Sequence, residues 1–531
     1  MCPFFNADDS MAFMPHDFSP VTRRRPAPIL VVGAGMGGLA AAVLLAAQGA
    51  DVLVVEAAAA PGGKLSETIV GGAAIDAGPT VLTMRDVFEA LFADAGSALS
   101  DHLTLIPAEI LARHAWAGGA RLDLFADRAR SREAIGTLAG AGEARAFDAF
   151  CAEARRIHDV LDGPFMRAPR TTPLGLSWRI GPRRIREMLA IRPFETMWTA
   201  LARHFDDPRL RQLFGRYATY CGSSPFLAPA TLMLIAHVEQ RGVWLVDGGM
   251  HRIARALETV LAGHGGRIRY RAPVAEILID QGRAAGVRLA SGEVIAAQAV
   301  ICNADPAALA LGLLGDGARR AVPRRQSADR ALSAVTWLIH GQARGFPLLR
   351  HNVFFSRDYR AEFADLAAGR LPRDPTLYVC AQDRDASAGD EPEGRERLMV
   401  ILNAPPAGGA LPPAEIDSCE TRMFERLARA GLTIADRAMA IETPAGFQAR
   451  FPGTGGALYG RASHGWAAAF QRPGARTAIP GLYLAGGGVH PGAGLPMAAL
   501  SGRQAAQAWL ADRASMPPFR PAAIAGGMST R

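Results

Sequence analysis

The sequence predicts an α/β fold, and three stretches carry that prediction. Residues 26–64 read as a buried strand, a glycine-rich turn, a helix and a second strand. Residues 243–306 read as an amphipathic helix followed by short strands, and residues 479–510 read as another strand, glycine run and helix. Strands that alternate with helices in this way are typical of a parallel sheet covered by helices.

Composition restricts the class of protein before any motif is considered. The chain has 531 residues, of which 49% are hydrophobic and 20% charged, so we expect a globular protein with two or three subdomains. The formal net charge is +8, but the arginines are scattered and no zinc-finger or RNA-recognition signature occurs, so we expect no nucleic-acid partner. The six cysteines form no CxxC pair, which predicts a reducing cytoplasm, no disulfide frame and no metal site.

The two ends of the chain are predicted to lie outside the folded part. Residues 1–25 carry acids early and arginines late and lack the apolar segment of a signal peptide, so we expect a disordered tail. Residues 514–531 are rich in Pro, Gly and Ala, and we expect a loose tail there as well. The apolar region 29–55 is interrupted by glycines, which favours strand, helix and strand over a membrane span.

The first element is the strand "ILVV" at residues 29–32, which is short, apolar and β-branched. Gly33, Gly35 and Gly38 follow it in the pattern G-x-G-x-x-G. The first glycine permits a tight turn, the second lets a pyrophosphate approach the backbone, and the third lets the next helix pack on the strand. The amides at the N-terminus of that helix then face the phosphates.

The second strand, "DVLVV", is followed by Glu56, which lies 23 residues after Gly33. An acid at this place binds the ribose hydroxyls of a dinucleotide. Strand, glycines, helix, strand and acid therefore occur in the order that a dinucleotide-binding unit requires. This unit alone does not show whether the dinucleotide is FAD or NAD, but the segment that follows it distinguishes the two.

Residues 61–80 continue with "PGGK" and then "IDAGPT". This extension resembles the flavoprotein superfamily of amine oxidases and carotenoid desaturases, in which a Gly-Gly-Arg/Lys turn lies along FAD. The resemblance implies contacts to FAD from Gly62, Gly63, Lys64, Gly78, Pro79 and Thr80. Lys64 is the only lysine, the other 57 of the 58 basic residues being arginine, and a compact cation suits a phosphate or ribose. The alternative is a single codon that escaped a drift to arginine.

Two later stretches extend the same resemblance. Residues 267–303 contain the strands "RIRYR", "VAEILID", "AAGVRLA" and "VIAAQAVICN", and in this superfamily the backbone at the position of Val274 meets the adenine ring. Residues 479–510 contain the strand "LYLA", a glycine run and an Ala-rich helix, which can bring further amides to the cofactor. The cofactor-binding residues expected there are Gly486, Gly487, His490, Pro491 and Met497.

The resemblance predicts a Rossmann-like FAD-binding domain assembled from separate pieces, with an α+β substrate domain interleaved between them. The FAD-binding domain takes residues 26–100, 243–310 and 470–513. The substrate and membrane-docking domain takes residues 101–242 and 311–469. No low-complexity linker separates these pieces.

At full length the chain resembles the bacterial phytoene-desaturase-type carotenoid desaturases. The most specific carrier is "GLYLAGGGVHPGAGLPMAALSG", in which Val489 replaces the Thr or Ala expected of that family. The stretches "IDAGPTVLTMRDVFEALFADAG" and "APATLMLIAHVEQRGVW" are similar to the 1-hydroxycarotenoid 3,4-desaturases, also called hydroxyneurosporene or methoxyneurosporene desaturases. Neither spacing nor charge indicates that the substrate carries a hydroxyl group.

The resemblance implies an FAD-dependent desaturase that introduces a C-3,4 double bond into an acyclic 1-hydroxycarotenoid such as 1-hydroxyneurosporene. This reaction needs an apolar tunnel more than a set of ionisable groups, and the sequence contains no Ser-His-Asp order or HExxH motif. A phytoene desaturase or a carotenoid isomerase of the same family remains an alternative. An amine oxidase fits less well because "HPGAGLPM" lacks the aromatic residues of a cage, and a non-catalytic prenyl-binding protein fits less well because the cofactor glycines are intact.

A few ionisable residues are candidates for direct roles. His490 is the candidate catalytic residue near the flavin, with support of the glycine turn as the alternative. Asp76, in "IDAGPT", is a candidate base, with hydrogen bonding to backbone amides as the alternative. His237, Arg461 and His464 lie in segments assigned near the substrate, with surface or helix-packing roles as the alternative.

A carotenoid is insoluble in water and has to reach the enzyme from a bilayer. Residues 179–192 are predicted to form a docking helix, with Ile185, Met188 and Leu189 on one face, basic residues on the other, and Trp178 and Trp198 flanking it. The alternative is an ordinary amphipathic helix packed on the core. We expect a cytoplasmic protein associated peripherally with the inner or photosynthetic membrane, and the sequence leaves the oligomeric state open.

Overall fold

The computed structural model describes residues 27–181, 191–384, 392–406 and 411–515. The strands are β1 Ile29–Val32, β2 Val52–Val55, β3 Glu67–Val70, β4 Ala73–Asp76, β5 Leu105–Pro107, β6 Ile110–Ala115, β7 Arg121–Phe125, β8 Trp244–Val246, β9 Arg267–Arg269, β10 Val274–Asp280, β11 Arg283–Leu289, β12 Val294–Ala296, β13 Ala299–Cys302, β14 Ser333–Gly345, β15 His351–Phe354, β16 Leu377–Ala381, β17 Glu396–Ala404, β18 Leu432–Glu442 and β19 Leu482–Leu484.

The helices divide into regular α-helices and shorter helical turns. The α-helices are Met36–Ala47, Arg85–Asp94, Arg128–Ala139, Ala141–Leu161, Pro173–Ile180, Met197–His204, Pro208–Gly215, Leu234–Gln240, Arg252–Gly263, Pro306–Leu311, Tyr359–Ala367, Pro413–Arg429, Pro444–Arg450 and Leu495–Ser515. The shorter turns are Leu99–Asp101, Asp162–Met166, Arg216–Cys221, Ala230–Met233, Asp316–Ala321, Arg324–Ser327 and Ala468–Gln471.

A five-stranded parallel sheet forms the first layer, in the order β19-β13-β1-β2-β9. Its strands come from the start, the middle and the end of the chain, and helices cover it, so the α/β prediction is confirmed. Every residue of β1 and of β13 is buried, as expected for parallel strands covered on both faces. The bounds of the two predicted domains remain a prediction.

One predicted strand is wrong in its extent. The run "VIAAQAVICN" forms two strands, because β12 pairs with β11 in a separate antiparallel sheet while β13 joins the parallel sheet. Between them the Ala297 amide donates to Ala285 and the Gln298 amide donates to Pro28. The backbone hydrogen bonds therefore change partner within two residues, which a reading of hydrophobic pattern cannot detect.

The first and last helices pack closely against each other on the parallel sheet. A Cβ added to Gly502 in the helix Leu495–Ser515 would lie 2.1 Å from the carbonyl oxygen of Gly37 in the helix Met36–Ala47. The helix Met36–Ala47 is apolar and buried on nearly every side, whereas the helix Leu495–Ser515 also carries polar residues and is only partly buried. This contact brings the N-terminal and C-terminal glycine turns to the same place.

A seven-stranded sheet forms the second layer, in the order β18-β14-β17-β16-β15-β6-β7. Its pairs are antiparallel except for β15 with β6. Trp337 of β14 is fully buried, and its indole N–H donates to Glu420 of the helix Pro413–Arg429, 2.9 Å away. This mixed sheet is the α+β part that the fold prediction required.

The predicted peripheral segments lie mostly beyond the described ranges. Of the docking helix 179–192, residues 182–190 are outside them, and the helix Pro173–Ile180 ends just before. The predicted tails are outside as well, except that residues 514 and 515 end the last helix. Within the described ranges no helix is both long enough and apolar enough to cross a bilayer.

Candidate cofactor and substrate site

A large cavity is lined by residues of both sheets. Its volume is about 1070 Å³. Gly33, Val274 and Gly486, which stand in the first, middle and last parts of the chain, all line it. Residues of the mixed sheet and of the helices between residues 161 and 239 line it too. One continuous cleft is therefore shared by the predicted dinucleotide turn and the predicted substrate region.

The glycine turns meet at the carboxyl ends of three neighbouring parallel strands. Gly33 directly follows β1, Asn303 directly follows β13, and one residue separates Gly486 from the end of β19. A Cβ on Gly37 would lie 2.5 Å from the Gly486 amide nitrogen, so the backbones touch without any room for a side chain. Ligands of open α/β sheets bind at this edge, where helix N-termini present free amides.

One buried polar atom at this edge has no hydrogen-bond partner in the part of the chain that the structure describes. The Asn303 side-chain amide donates to the Gly33 carbonyl at 3.3 Å, but its Oδ1 is buried and meets no donor among the described residues. Because buried acceptors are normally satisfied, Oδ1 is available to a ligand hydroxyl or a bound water. Glycine backbones without side chains and an open acceptor fit the pyrophosphate and ribose of a dinucleotide.

Glu56 lies at the end of β2 and faces the same cavity. Its carboxylate accepts the Ala34 amide at 2.6 Å and the Ala58 amide at 2.8 Å, which fixes it beside the glycine turn. An acid held in this way is positioned for ribose hydroxyls. Its contact with the ribose remains a prediction.

Lys64 reaches into the cavity from the glycine pair that precedes it. Its ammonium donates to the Leu458 carbonyl and lies 5.3 Å from the centre of the Phe451 ring. Burial lowers the pKa of Lys64 to about 8, and the charge of Asp305 opposes this shift. A Cβ on Gly78 would lie 2.0 Å from the Lys64 carbonyl, so the "PGGK" and "IDAGPT" segments touch. Contact of Lys64 with the phosphates remains a prediction.

The predicted cofactor residues are brought together with two exceptions. The residues that line the cavity are Gly33, Gly35, Glu56, Gly62, Gly63, Lys64, Gly78, Pro79, Thr80, Val274, Gly486, Gly487, Pro491 and Met497. Gly38 and His490 are not among them. A Cβ on Gly38 would lie 2.1 Å from the Gly33 carbonyl oxygen, so its role is close packing of helix on turn.

His490 is buried behind the cavity wall and does not line it. Its Nε2 lies 3.0 Å from the Ala168 carbonyl, and the Phe165 ring meets it edge-on at 4.9 Å. Burial lowers the pKa of His490 to about 4, so the ring is neutral at pH 7. These contacts favour support of the glycine turn, and the catalytic role stays a prediction that no contact with the cavity supports.

The Asp76 carboxylate accepts hydrogen bonds from backbone amides, which is the alternative to a role as a base. It accepts the Met250 amide at 2.7 Å and the His251 amide at 3.1 Å. Burial raises the pKa of Asp76, and these two hydrogen bonds oppose the shift. Asp76 therefore braces the entry to the helix Arg252–Gly263.

The three residues assigned near the substrate do not reach the cavity. His237 packs its ring against a second histidine ring 4.9 Å away. Arg461 forms an ion pair with Asp329 at 2.9 Å, and His464 Nε2 accepts the Ser224 amide at 3.2 Å. Each side chain is turned toward a protein partner, which favours the alternative packing roles, and contact of any of the three with the substrate stays a prediction.

A polar cluster that the sequence did not indicate interrupts the cavity wall. We call it the guanidinium cluster, and it consists of Arg216, Tyr220, Glu239, Tyr378 and Thr80, all of which line the cavity. Arg216 donates to the Tyr220 hydroxyl at 2.9 Å, and Tyr378 donates to the Thr80 hydroxyl at 2.7 Å. No local pattern could have identified Arg216 in a chain with so many arginines.

Much of the remaining wall is apolar and opens to the surface. Phe165, Leu176, Ile235 and Val243 are among the apolar residues that line it. Phe194 and Trp466 also line it, and they are 76% and 45% exposed, with ring centres 5.5 Å apart. The cavity therefore has a mouth bordered by exposed aromatic residues.

A dinucleotide turn joined to an apolar cavity defines a flavoenzyme-type oxidoreductase. Residues 36–510 match the family described as flavin containing amine oxidoreductase, and the chain belongs to this family. The FAD prediction is confirmed at this level, and the cofactor fits the cradle that Gly33, Asn303 and Gly486 form. The predicted resemblance to carotenoid desaturases is confirmed by the individual relatives.

The chain is 51% identical to the hydroxyneurosporene desaturase of Rubrivivax gelatinosus over 509 residues, which cover 95% of this chain and 97% of the relative. It is 48% identical to the hydroxyneurosporene desaturase of Cereibacter sphaeroides, covering 92% and 98%. Among solved structures, the cyclohexylamine oxidase of Brevibacterium oxydans is similar to this chain, with a TM-score of 0.57 and 16% sequence identity. The match covers 92% of this chain and 100% of the oxidase. That likeness supports the fold alone.

Proposed function

We propose that this protein is an FAD-dependent desaturase that introduces the C-3,4 double bond into an acyclic 1-hydroxycarotenoid such as 1-hydroxyneurosporene. The observation that carries the proposal is the cavity that joins a dinucleotide cradle to a largely apolar chamber, in a chain half identical to hydroxyneurosporene desaturases. A phytoene desaturase or a carotenoid isomerase shares these features and is separated by its products.

When bound, FAD would supply the two-electron oxidation of the C-3,4 bond, taking up a hydride equivalent while a proton leaves the adjacent carbon. The residues of the chain bind the cofactor, orient the substrate and exclude water. Gly33, Gly486 and Lys64 hold the dinucleotide, and the apolar wall around Leu176 and Val243 orients the polyene and excludes water. Burial of the reacting carbons protects the reduced cofactor from side reactions.

The proposal is tested by expressing the protein beside a pathway that accumulates 1-hydroxyneurosporene. We expect a pigment two hydrogens lighter, with absorption at longer wavelength. A pigment of unchanged mass but altered geometry would indicate an isomerase, and conversion of phytoene would indicate the other desaturase. Unchanged pigment from folded, flavin-loaded protein would reject the substrate assignment.

We also propose that the mouth of the cavity rests on a membrane on the cytoplasmic side. Phe194 and Trp466 are exposed and line the mouth. Leu174 and Trp178 are exposed on the helix Pro173–Ile180, which contributes residues to the cavity wall, and Leu227 is exposed beside Gly465 of the wall. We call these five side chains the mouth patch. Trp178 is 86% exposed, whereas Trp198, the other predicted flank, packs against Phe226 with ring centres 4.7 Å apart. Exposed aromatic residues at an opening allow a carotenoid to pass from lipid to protein without crossing water.

Replacing Leu174, Trp178 and Phe194 together with alanine is expected to weaken binding to anionic phosphatidylglycerol vesicles by about 10- to 100-fold, because each apolar side chain loses part of ~1.5–3 kcal/mol of burial. Vesicle flotation measures the bound fraction. The control is the double alanine variant of Ile69 and Val294, two apolar side chains outside the mouth patch that are 66% and 53% exposed. Equal binding of both variants would contradict docking through the mouth.

A further inference from the structure

The guanidinium cluster places a cation in a chamber that is otherwise suited to hydrocarbon. Arg216 begins the helical turn Arg216–Cys221, and its guanidinium lies 5.1 Å from the Tyr220 ring centre and 5.2 Å from the Tyr378 ring centre. The side chain is half-buried, and it lines the cavity wall. Two aromatic faces therefore hold the guanidinium in place at the edge of the chamber.

Arg216 has spare hydrogen-bond donors. A guanidinium carries five N–H groups, and one nitrogen of Arg216 donates to Tyr220. Within the described ranges no carboxylate lies within 4.0 Å of it and no further protein acceptor meets its other N–H groups. Glu239, the carboxylate of the cluster, accepts the Tyr217 hydroxyl at 2.5 Å. The unused donors face the chamber, where burying them without an acceptor costs free energy.

The cluster lies beside the predicted cofactor loop. Tyr378 contacts both Arg216 and Thr80, and Thr80 belongs to the "GPT" run that is expected along FAD. If Thr80 contacts FAD as expected, a polar group bound by this cluster lies next to the cofactor. In a 1-hydroxycarotenoid the oxygen is three bonds from C3, which at ~1.5 Å per bond is less than ~4.5 Å.

We propose that Arg216, with Tyr220 and Tyr378, binds the tertiary hydroxyl of the substrate and thereby selects hydroxylated chain ends. This inference rests on the proposed function. The hydroxyl oxygen accepts from an Arg216 N–H and its proton is donated to a phenol oxygen or to Glu239. A chain end without the hydroxyl leaves the guanidinium donors against methyl groups, so the site discriminates against it.

Arg216→Met tests the proposal with two substrates of equal length, 1-hydroxyneurosporene and neurosporene. Anaerobic single-turnover bleaching of the bound flavin measures each reaction without an added electron acceptor. We expect the wild type to favour the hydroxylated substrate. The variant should lose about 10- to 100-fold of its efficiency on that substrate, the value of a hydrogen bond to a charged donor, with neurosporene unchanged or improved.

Arg461→Met is the control, because Arg461 is a more deeply buried arginine that does not line the cavity. We expect it to keep the wild-type ratio between the two substrates even if its stability falls. Arg216→Lys should restore part of the preference, since it keeps a charged donor but not the planar fork. If Arg216→Met does not hold flavin, Arg216→Lys and Tyr220→Phe provide the same comparison.

The outcomes separate this inference from the proposed function. If Arg216→Met slows both substrates equally, Arg216 supports the flavin or the fold and the inference is overturned. If the wild type converts both substrates equally well, the hydroxyl is not recognised, and the inference fails while desaturation stands. If the wild type converts no acyclic carotenoid, the proposed function itself fails. Carotenoid titrations of the flavin absorbance, with and without the hydroxyl, give the same comparison for binding.

Discussion

Replacing Lys64 with methionine is expected to weaken FAD binding by about 10- to 100-fold at pH 7, because a hydrogen bond to a charged group is worth ~1.5–3 kcal/mol. Lys64 is the only lysine of the chain and lines the cavity beside Gly62 and Gly63. Among the described residues its ammonium donates to one carbonyl, that of Leu458, and it retains donors for an anion. Titration of flavin-free protein with FAD, followed by flavin fluorescence, measures the affinity.

The pH dependence of that affinity distinguishes a charge effect from a packing effect. Burial lowers the pKa of Lys64 to about 8, so the side chain is mostly protonated at pH 7 and mostly neutral at pH 9. Because FAD binds the protonated form, the wild-type affinity should fall about tenfold from pH 7 to pH 9. The methionine variant has no proton to lose at this site, so its affinity should stay level over the same range.

Lys64→Arg is the control that keeps the charge at every pH. Its affinity is expected to be lower than wild type, because a planar guanidinium replaces a compact ammonium, but it should not fall between pH 7 and pH 9. The idea that Lys64 meets FAD fails if Lys64→Met and wild type bind with the same affinity at pH 7. In that case its solitary occurrence reflects codon usage alone.

Local patterns predicted the elements around the dinucleotide turn because near neighbours determine them. The spacing of Gly33, Gly35 and Gly38 requires a turn and a helix start, and β1 and the helix Met36–Ala47 occur where the hydrophobic pattern places them. The place of Val274 came from resemblance, since nothing near this residue in the sequence says that β10 begins beside an adenine site. In the folded chain Gly33 and Val274, which are far apart in the sequence, line the same cavity.

The substrate side of the cavity could not be predicted in the same way. The long strand β14 pairs with β17 and β18, far along the chain, and the register depends on buried packing such as that of Trp337. Arg216 becomes distinctive only when folding surrounds it with tyrosines and leaves it without a carboxylate among the described residues. For His490 the motif fixes the position along the chain but not the direction of the ring, so its absence from the cavity lining could not be predicted from the sequence.

Removing Arg330 is expected to lower the free energy of unfolding by about 3–5 kcal/mol, because it leaves a buried carboxylate without its cation. Arg330 and Asp305 form an ion pair at 2.8 Å, with their side chains 10% and 8% exposed. Asp305 also accepts the Ala307 amide at 2.9 Å and lines the cavity near Lys64. Denaturant titration of Arg330→Met against wild type, both flavin-free, measures the loss.

The double variant Arg330→Met with Asp305→Asn is expected to recover part of that loss, since it removes the isolated charge, and a double-mutant cycle gives the coupling. The same pair tunes Lys64: Asp305 raises its pKa and Arg330 lowers it. Arg330→Met should therefore move the pH midpoint of FAD affinity upward, and Asp305→Asn should move it downward. If Arg330→Met lowers the free energy of unfolding by less than about 1 kcal/mol, the range of solvent-screened ion pairs, water in the cavity screens the Arg330–Asp305 pair. Midpoints that move in the same direction would mean that fold damage, and not the charge at Lys64, controls cofactor binding.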